Sequence, residues 1–198
     1  MKVFELFRLL TSRLEMIAAT PKHLEAELKS LDRLASFLNA EIEPDWPPGE
    51  YDRAAQEFFL SHLMEGGAAV AGWYNWYALY RVKPQLPMIA IGAGGYFGPP
   101  DERGEVEIGF SVMPAWRCQG YAAEIAEALT VNAFSDGRVD KVRAHTNPEN
   151  TVSCRVLEKC SFTNVGLDEE SGCYRYEILH DSSSHNALVR QTEKKLVR

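Results

Sequence analysis

The chain has 198 residues, of which 45% are hydrophobic and 25% are charged, a composition typical of soluble globular proteins. A chain of this length can form one domain that buries roughly 70% of its unfolded surface. The formal net charge of -7 argues against general binding of nucleic acids or anionic membranes. No apolar run reaches the roughly 20 residues needed to span a bilayer, and charges at Lys2, Glu5 and Arg8 interrupt any signal-peptide core. The sequence therefore predicts a cytoplasmic protein with no nucleic-acid or membrane partner.

The cysteines indicate neither a metal site nor a disulfide scaffold. No two of them form a C-x-x-C pair, the spacing expected of a zinc or redox motif; they are Cys118, Cys154, Cys160 and Cys173. No spacing of histidines, cysteines and carboxylates supports a metal centre either. We therefore expect no bound metal.

In the first half of the chain, helical patterns outnumber strands. Apolar spacing, a proline after Thr20 and the pair Gly66-Gly67 mark where helices begin and end. The predicted elements are a short helix over 1–10, a strand over 13–18, a helix from Thr20-Pro21 that is broken near Ser30, a loop over 44–49 and a helix over 51–64.

The second half alternates strands with two helices. The predicted strands cover 72–81, 88–97, 105–113, 139–146, 162–166 and 173–179, and the helices begin at Tyr121 and cover 151–159. Residues 181–198 are polar and read as a frayed tail with a weak helix. The sequence thus predicts one domain over 1–180 followed by a polar C-terminal tail over 181–198.

A glycine run at Gly92, Gly94 and Gly95 superficially resembles a dinucleotide-binding fingerprint. The fingerprint needs a small residue at its sixth position and a helix directly after it. Here the sixth position is Phe97, and Gly-Pro-Pro follows it. We therefore interpret the run as a bulged strand that another backbone approaches closely.

The stretch 105–125 predicts a phosphate-binding turn. Val106, Ile108, Phe110 and Val112 alternate with Glu107, Gly109 and Ser111, which is the period-two pattern of a strand that ends at Pro114. A helical pattern begins near Tyr121, and Gly120 lets backbone approach a ligand at the join. Free N–H groups at the start of a helix attract an anion, as does the helix dipole. An ordinary strand-turn-helix connection remains the alternative.

A second segment makes the interpretation more specific. Asn150-Thr-Val-Ser153 begins a helix that continues as Val-Leu-Glu-Lys and ends before Phe162. The turn Arg117-x-x-Gly120-x-Ala122 resembles the Q/R-x-x-G-x-G/A turn of the GNAT acyltransferases. Together the two segments resemble the ribosomal-protein N-terminal acetyltransferase branch of that family, as do the strand from Leu10 and the helix start at Thr20-Pro21. The resemblance covers about residues 10–180.

The resemblance implies a mixed α+β fold and a cosubstrate. The GNAT fold has a mostly antiparallel, twisted central sheet of about seven strands, flanked by helices and splayed at its two central strands. Acetyl-CoA would donate the acetyl group and lie in that splay. Backbone groups near Val112 and Met113 would bind the pantetheine arm, and Asn150 would bind it from the other side, with Ser153 near the sulfur. Arg117 would add charge at the pyrophosphate. The residues whose N–H groups would bind the pyrophosphate are Cys118, Gln119, Gly120, Tyr121, Ala122 and Ala123.

The chemistry requires a group that removes a proton from the acceptor amine, since amines are mostly protonated at neutral pH. Glu107 is the predicted catalytic base, because it lies opposite the apolar stripe and near Gly109, whose missing side chain leaves room for an acceptor. A solvent-facing or ion-paired Glu107 is equally compatible with the pattern, and Glu169 and Glu170 are weaker candidates. Ser153 is the candidate hydrogen-bond donor to the departing sulfur.

Several residues depart from the family pattern or permit two interpretations. Leu157 occupies the place of a tyrosine that many relatives use as the acid, and Ser161 replaces a helix-ending glycine, so that helix end is expected to be slightly strained. His145 reads as a core or rim residue. Trp46 lies in a loop that lines the acceptor side in the family and is predicted to contact substrate.

The resemblance therefore implies an enzyme, an N-acetyltransferase that acts by direct attack on a protein N-terminus or a small-molecule amine. A CoA-binding module without transfer activity is the alternative, and a structural interaction protein is a third. A homodimer is suggested by family analogy alone.

Overall fold

The computed structural model describes residues 7–83 and 85–180. Within those ranges the strands are β1 (Arg8–Leu10), β2 (Leu14–Ala18), β3 (Ala40–Ile42), β4 (Asn75–Tyr80), β5 (Met88–Tyr96), β6 (Glu105–Val112), β7 (Lys141–Thr146), β8 (Thr163–Leu167) and β9 (Tyr174–Leu179). The α-helices are α1 (Pro21–Glu27), α2 (Leu31–Leu38), α3 (Arg53–Gly66), α4 (Tyr121–Phe134) and α5 (Thr151–Lys159). None of these helices is both long and apolar enough to cross a membrane.

Most elements lie where the sequence predicted them, with two corrections in the first 42 residues. Residues 8–10 form a strand rather than part of a helix, because they pair antiparallel with β2. The three-residue strand β3 was not predicted; it is too short to show a period of its own and exists because it pairs with β5. The tail predicted over 181–198 and the first six residues of the helix predicted over 1–10 lie outside the described residues.

The described strands form one open, mixed sheet in the order β1-β2-β4-β5-β6-β7-β9-β8, with β3 beside β5. The described sheet has nine strands, two more than the approximate seven that the family resemblance implied. Neighbours are antiparallel except at β3–β5 and β6–β7. The parallel ladder between β6 and β7 runs only from Glu105 opposite Lys141 to Glu107 opposite Arg143. Beyond that pair the two central strands separate, so the predicted splay is confirmed.

Two apolar layers cover the sheet. On one face, α4 and α5 pack on residues that include Val106, Ile108 and Val112. On the other face, α1, α2 and α3 pack over β4 and β5 through residues that include Tyr77 and Leu79. The alternation of β6 therefore directs its apolar side chains towards α4 and leaves Glu107, Gly109 and Ser111 on the face of α3.

The glycine run of β5 is explained by close packing, as predicted. A Cβ on Gly94 would lie 2.8 Å from Ile125 Cγ2 of α4, and one on Gly92 would lie 2.6 Å from the Ser111 carbonyl oxygen. A register shift between Ala78 and Leu79 marks a bulge in the facing pair of strands. The absent side chains thus let α4 and the neighbouring backbone sit against β5.

Local capping determines where the helices end. Asp52 Oδ1 accepts a bond from Ala55 N (2.9 Å) at the start of α3. Helix α5 ends in a Schellman arrangement, in which Phe162 N donates to the Leu157 carbonyl (3.0 Å) and Ser161 N donates to the Glu158 carbonyl (3.0 Å). Ser161 takes φ +67° in this arrangement, so the strain expected at that helix end is present.

Candidate active site

The turn between β6 and α4 has the geometry of an anion-binding nest. Cys118 has φ +59° and Gly120 has φ +84°, so left-handed residues alternate along the turn. Such alternation aims successive N–H groups at one point, and the first amides of α4 have no partner inside the helix. Positions 117–120 are exposed. The turn can therefore receive a diphosphate from solvent, and a Cβ at the left-handed Gly120 would strain it.

Arg13 and Glu124 hold this turn from the side. Arg13 Nη1 donates to the Gln119 carbonyl (2.9 Å), and its guanidinium carbon lies 4.2 Å from the centre of the Tyr121 ring. Arg13 Nε pairs with Glu124 Oε2 at 2.6 Å, and Thr11 Oγ1 donates to Glu124 Oε1 at 2.5 Å. Burial raises the pKa of Glu124, but these hydrogen bonds outweigh it and leave the pKa below its ordinary value.

Arg117 is fastened to the end of β6. Its Nε donates to the Val112 carbonyl at 3.0 Å, and its Nη2 lies 3.6 Å from where a Cβ of Gly49 would be. The guanidinium is thus held beside the nest while the residue remains exposed. A charge in this place can add to the attraction for phosphate.

The edge of β6 that faces the splay is identified by its hydrogen bonds. The Glu107 carbonyl accepts from Phe97 N (3.1 Å), and Met113 N donates to the Ile91 carbonyl (2.8 Å). The main-chain groups of Glu107 and Met113 therefore face β5. Because alternate residues of a strand direct their main-chain groups to opposite edges, the N–H and C=O groups of Phe110 and Val112 face the gap between β6 and β7. The Met113 carbonyl accepts from Trp116 N at 2.9 Å. Both main-chain groups of Met113 are therefore engaged within the protein.

Asn150 and Ser153 lie across the gap, where β7 leads into α5. Asn150 Oδ1 accepts from Ser153 N at 3.1 Å and caps the helix, as the sequence predicted. Both side chains are half-buried. Leu157, one turn further on, is buried and carries no hydroxyl; of the two hydroxyl residues in the first turn of α5, Thr151 is exposed and Ser153 is half-buried.

Glu107 is ion-paired on the α3 face of the sheet. Its Oε2 accepts from Arg143 Nε (3.2 Å), and its Oε1 lies 3.0 Å from His145 Nδ1. These bonds follow from the parallel register that places Arg143 opposite Glu107. Further charged side chains lie beside this pair on β6, β7 and β9: Glu105, Lys141, Arg175 and Glu177. Hydrogen bonding to Lys141 keeps the pKa of Glu105 below its ordinary value.

A pocket of about 140 Å³ opens on the same face, between α3 and strands β5 and β6. Its lining residues include Gly95 and Gly109 and the aromatic residues Tyr51, Phe59 and Phe97; Phe110 also lines it, although that side chain packs with the cluster on the α4 face. A Cβ on Gly109 would lie 3.3 Å from Phe97 Cε2. Glu107 precedes Gly109 on this face of β6 but does not line the pocket, and the polar lining residues are Glu50, Asn75 and Ser111. Glu169 and Glu170 lie in the exposed turn before β9 and do not line the pocket.

Behind the pocket lies a buried carboxylate, Glu27, that four side chains contact. Tyr51 Oη and Tyr77 Oη each donate to Oε2 at 2.7 Å, and Trp46 Nε1 and Gln56 Nε2 donate to Oε1 at 2.5 Å and 3.1 Å. Burial raises the pKa of Glu27, against the effect of these hydrogen bonds. Burial and the charge of Glu27 raise the pKa of Tyr51.

Trp46 belongs to this cluster and not to the pocket wall. Only 6% of it is exposed, and its ring packs against Tyr51 and Tyr77. A direct contact between Trp46 and substrate stays a prediction; in this structure Tyr51 stands between Trp46 and the cavity. Sequence reasoning missed Asn75, Glu50 and Tyr51 as lining residues, because no local motif marks them.

The chemistry of these parts is that of an acyl-CoA enzyme. The nest and Arg117 suit a diphosphate, the free edge of β6 suits an amide-containing arm, and the pocket suits the body of an acceptor. The described residues contain no group of three or more His, Cys, Asp or Glu side chains placed to hold a metal ion.

Known proteins agree with this description. The sequence profile of acetyltransferase (GNAT) domains matches residues 13–163. YjdG, an uncharacterized N-acetyltransferase of Bacillus subtilis, is 27% identical over 168 residues, which cover 85% of this chain and 95% of YjdG. A GNAT-family acetyltransferase from Bacillus anthracis has a similar crystal structure, with a TM-score of 0.57 and 23% identity over 87% of this chain and 98% of that one.

The ribosomal alpha-N-protein acetyltransferase RimL, crystallised in complex with coenzyme A, has a TM-score of 0.59 and 18% identity over 90% of this chain and 99% of its own. The chain belongs to the GNAT acetyltransferase family. It is an acetyl-CoA-dependent N-acetyltransferase, and the fold predicted from the sequence is confirmed. The similarity to RimL is consistent with the predicted branch of the family.

Proposed function

We propose that this acetyltransferase modifies the amine of a protein N-terminus or of a small molecule by direct attack, with no covalent enzyme intermediate. The observation that carries the proposal is the double role of β6. One edge of the strand faces the gap beside β7, and Gly109, Phe110 and Ser111 line the pocket. An acyl group held along that edge would therefore be adjacent to an amine held in the pocket.

The residues that would hold the donor are those of the nest and the gap. The amides from Cys118 to Ala123 would bind the diphosphate, and Arg117 would add charge. The edge groups of Phe110, the N–H of Val112 and the Asn150 side chain would bind the arm, since the Val112 carbonyl already accepts from Arg117 Nε. Met113, whose main-chain groups are engaged, would contribute by holding the strand end against β5. Bound acetyl-CoA supplies a thioester, whose carbonyl carbon is the electrophile.

Two proton movements fall to this chain. We propose that Glu107 accepts the amine proton through a water molecule, since its carboxylate lies on the pocket face of β6, two residues before Gly109. Its hydrogen bonds with Arg143 and His145 would hold the carboxylate in place. Ser153 would donate a hydrogen bond to the sulfur as it leaves, from the first turn of α5. Glu50, which lines the pocket directly, is a second candidate base.

The test is release of free thiol from acetyl-CoA in the presence of amines and ribosomal N-terminal peptides, together with calorimetric titration of coenzyme A. Binding with thiol release that depends on an amine supports the proposal. Binding without release for every acceptor would show a CoA-binding module instead. Absence of binding would overturn the assignment of the nest.

A further inference from the structure

His145 is the histidine that the structure places beside Glu107, and the proposed route of the amine proton does not yet use it. Its Nδ1 lies 3.0 Å from Glu107 Oε1, and 23% of its side chain is exposed. An ionised carboxylate only accepts hydrogen bonds, so Nδ1 carries the hydrogen when the two are paired. Among the described residues the hydrogen-bond partner of the ring is Glu107, which leaves the lone pair on Nε2. A carboxylate that holds an imidazole in this tautomer prepares it to take up a proton.

Glu107 is fixed well enough to orient the ring. Arg143 Nε donates to Glu107 Oε2 at 3.2 Å, and Arg143 Nη1 reaches Glu105 Oε2 at 3.2 Å. The parallel register sets this contact, since Glu107 lies opposite Arg143. Oε1 is thus the oxygen that meets His145, and the carboxylate cannot turn away from the imidazole without losing its bond to Arg143.

The sheet register places the imidazole at the closed end of the gap between β6 and β7. The parallel ladder ends with Glu107 opposite Arg143. Two residues further along each strand lie Gly109 and His145, which side-chain alternation assigns to the same face of the sheet as Glu107 and Arg143. Gly109 lines the pocket, and it has no side chain to stand between an amine held there and the imidazole.

The donor would bring its thioester to the same level of the sheet. Its diphosphate is proposed to bind at the turn after β6, and an arm that follows the edge of β6 back from that turn passes Val112 and then Phe110. Phe110 adjoins Gly109, so the reacting end of the arm lies near the closed end of the gap. Neither Glu107 nor His145 lines the pocket, so a water molecule completes the path from the amine.

The charges around His145 permit it to bear a proton. Arg175 lies opposite His145 on β9, but its guanidinium pairs with Glu177. Asp168, in the turn before β9, interacts electrostatically with His145. An imidazolium at this place therefore has the carboxylates of Glu107 and Asp168 near it, which favour its positive charge.

We infer that the amine proton is held by the hydrogen-bonded pair of His145 and Glu107, on Nε2 of the imidazole, with the carboxylate as its counter-charge. This inference rests on the proposed function and deepens its proton step, because the water delivers the proton to the pair and not to the carboxylate alone. An imidazole is a stronger base than a carboxylate, so the proton is more stable on the ring. Glu107 acts through His145 as a positioning residue.

The reaction balances with this pair. The amine nitrogen forms a bond to the acetyl carbon, and the carbon–sulfur bond breaks. Of the two protons that the ammonium loses, one passes through water to Nε2 of His145 and from there to solvent. The other ends on the sulfur of coenzyme A.

The experiment measures acetylated amine formed by the full chain, His145→Gln, Glu107→Gln and the double variant, with saturating acetyl-CoA and the fastest acceptor from a panel of simple amines and ribosomal N-terminal peptides. Glutamine can still donate a hydrogen bond to Glu107 but cannot take up a proton. His145→Gln is expected to lower kcat by about 10² with coenzyme A affinity unchanged. The double variant is expected to be no slower than the slower single variant, because the effects of residues that act as a unit do not add.

His145→Ala supplies a readout that a purely structural role would not move. Imidazole added to the assay is expected to raise kcat several-fold in His145→Ala and to leave Glu107→Gln unchanged, since it replaces the missing base. The acetylated amine is the measured product, because imidazole can itself release thiol from acetyl-CoA. His62→Gln is the matched control: its ring contacts the Phe58 carbonyl on α3, and its loss should leave kcat and the response to imidazole unchanged.

The outcomes separate the two proposals. A wild-type kcat in His145→Gln, or losses that multiply in the double variant, overturns the role of His145 and leaves the acetyltransferase proposal standing. A slow His145→Ala that imidazole does not restore shows an ion-pair role alone and overturns it as well. No acetyl transfer by the full chain to any amine overturns both proposals. If His145→Ala does not fold, the comparison of His145→Gln with the double variant decides.

Discussion

Arg13 and Glu124 form an ion pair, with 2.6 Å between Nε and Oε2, that joins the loop after β1 to the first turn of α4. Glu124 also accepts hydrogen bonds from Thr11, Ser12 and the backbone of Arg13. Arg13 in turn reaches the carbonyl of Gln119 inside the phosphate turn. The edge of the sheet therefore restrains the turn that would bind the donor.

Glu124→Gln is expected to weaken coenzyme A binding by about threefold to tenfold, because the turn loses a restraint but keeps its amides. Titration calorimetry measures the effect. The control is Glu57→Gln, which breaks the exposed pair with Arg53 far from the turn. Equal affinities in the wild type and Glu124→Gln would show that the turn holds its conformation unaided.

The same carboxylate gives a pH dependence of stability. The folded pKa of Glu124 is depressed, so its contribution to the free energy of unfolding is present above the ordinary glutamate value of about 4.3 and is lost as the pH falls through the lower folded value. Urea unfolding measured between neutral and acid pH should therefore show that the free energy of unfolding falls less at acid pH for Glu124→Gln than for the wild type. Parallel curves for the two proteins would contradict this account.

Gly120→Val is expected to weaken coenzyme A binding by at least about tenfold. Gly120 has φ +84°, a conformation that a β-branched residue does not take without strain, so the nest would open. Space is not the obstacle, since a Cβ there would lie 3.5 Å from Arg13 Nη2. Gly137→Val is the control, because Gly137 has open space around its Cα and no left-handed backbone. Unchanged affinity in Gly120→Val would remove the nest from the binding site.

Glu107→Gln and Glu50→Gln distinguish the two candidate bases. We expect Glu107→Gln to lower kcat by about 10²–10⁴, the usual contribution of a general base, with little change in coenzyme A affinity. A larger loss in Glu50→Gln, with Glu107→Gln close to wild type, would move the role to the pocket wall and leave Glu107 as an ion-pair partner of Arg143 and His145.

Ser161→Gly is expected to stabilise the protein by about 0.5–1 kcal/mol, since glycine takes φ +67° without the strain that serine bears. The two Schellman hydrogen bonds would be kept. Chemical denaturation measures the change. The matched control is Ser36→Gly, inside α2 with helical neighbours, where glycine should destabilise. A destabilised Ser161→Gly would show that the serine side chain contributes more than its backbone strain removes.

The features of the site that the sequence predicted are those set by residues close together in the chain. The strand β6, its end at Pro114, the turn at Gly120 and the cap at Asn150 each follow from a local backbone requirement, and each is present. Trp46 was predicted on the acceptor side for its aromatic character and its loop. Its burial against Glu27 depends on a contact between residues 19 positions apart, which no local pattern shows.

The sequence by itself determined the family, the order of nearly all elements and the glycine turn before α4, because periodicity, helix caps and left-handed turn residues act within a few positions of the chain. Only the tertiary structure decided what surrounds the reacting amine. The pairing of Glu107 with Arg143 and His145, the fourfold contact of Glu27 and the position of Asn75 in the pocket wall all arise where distant strands and helices meet. Burial and strand register set those contacts, and both are properties of the packed chain as a whole.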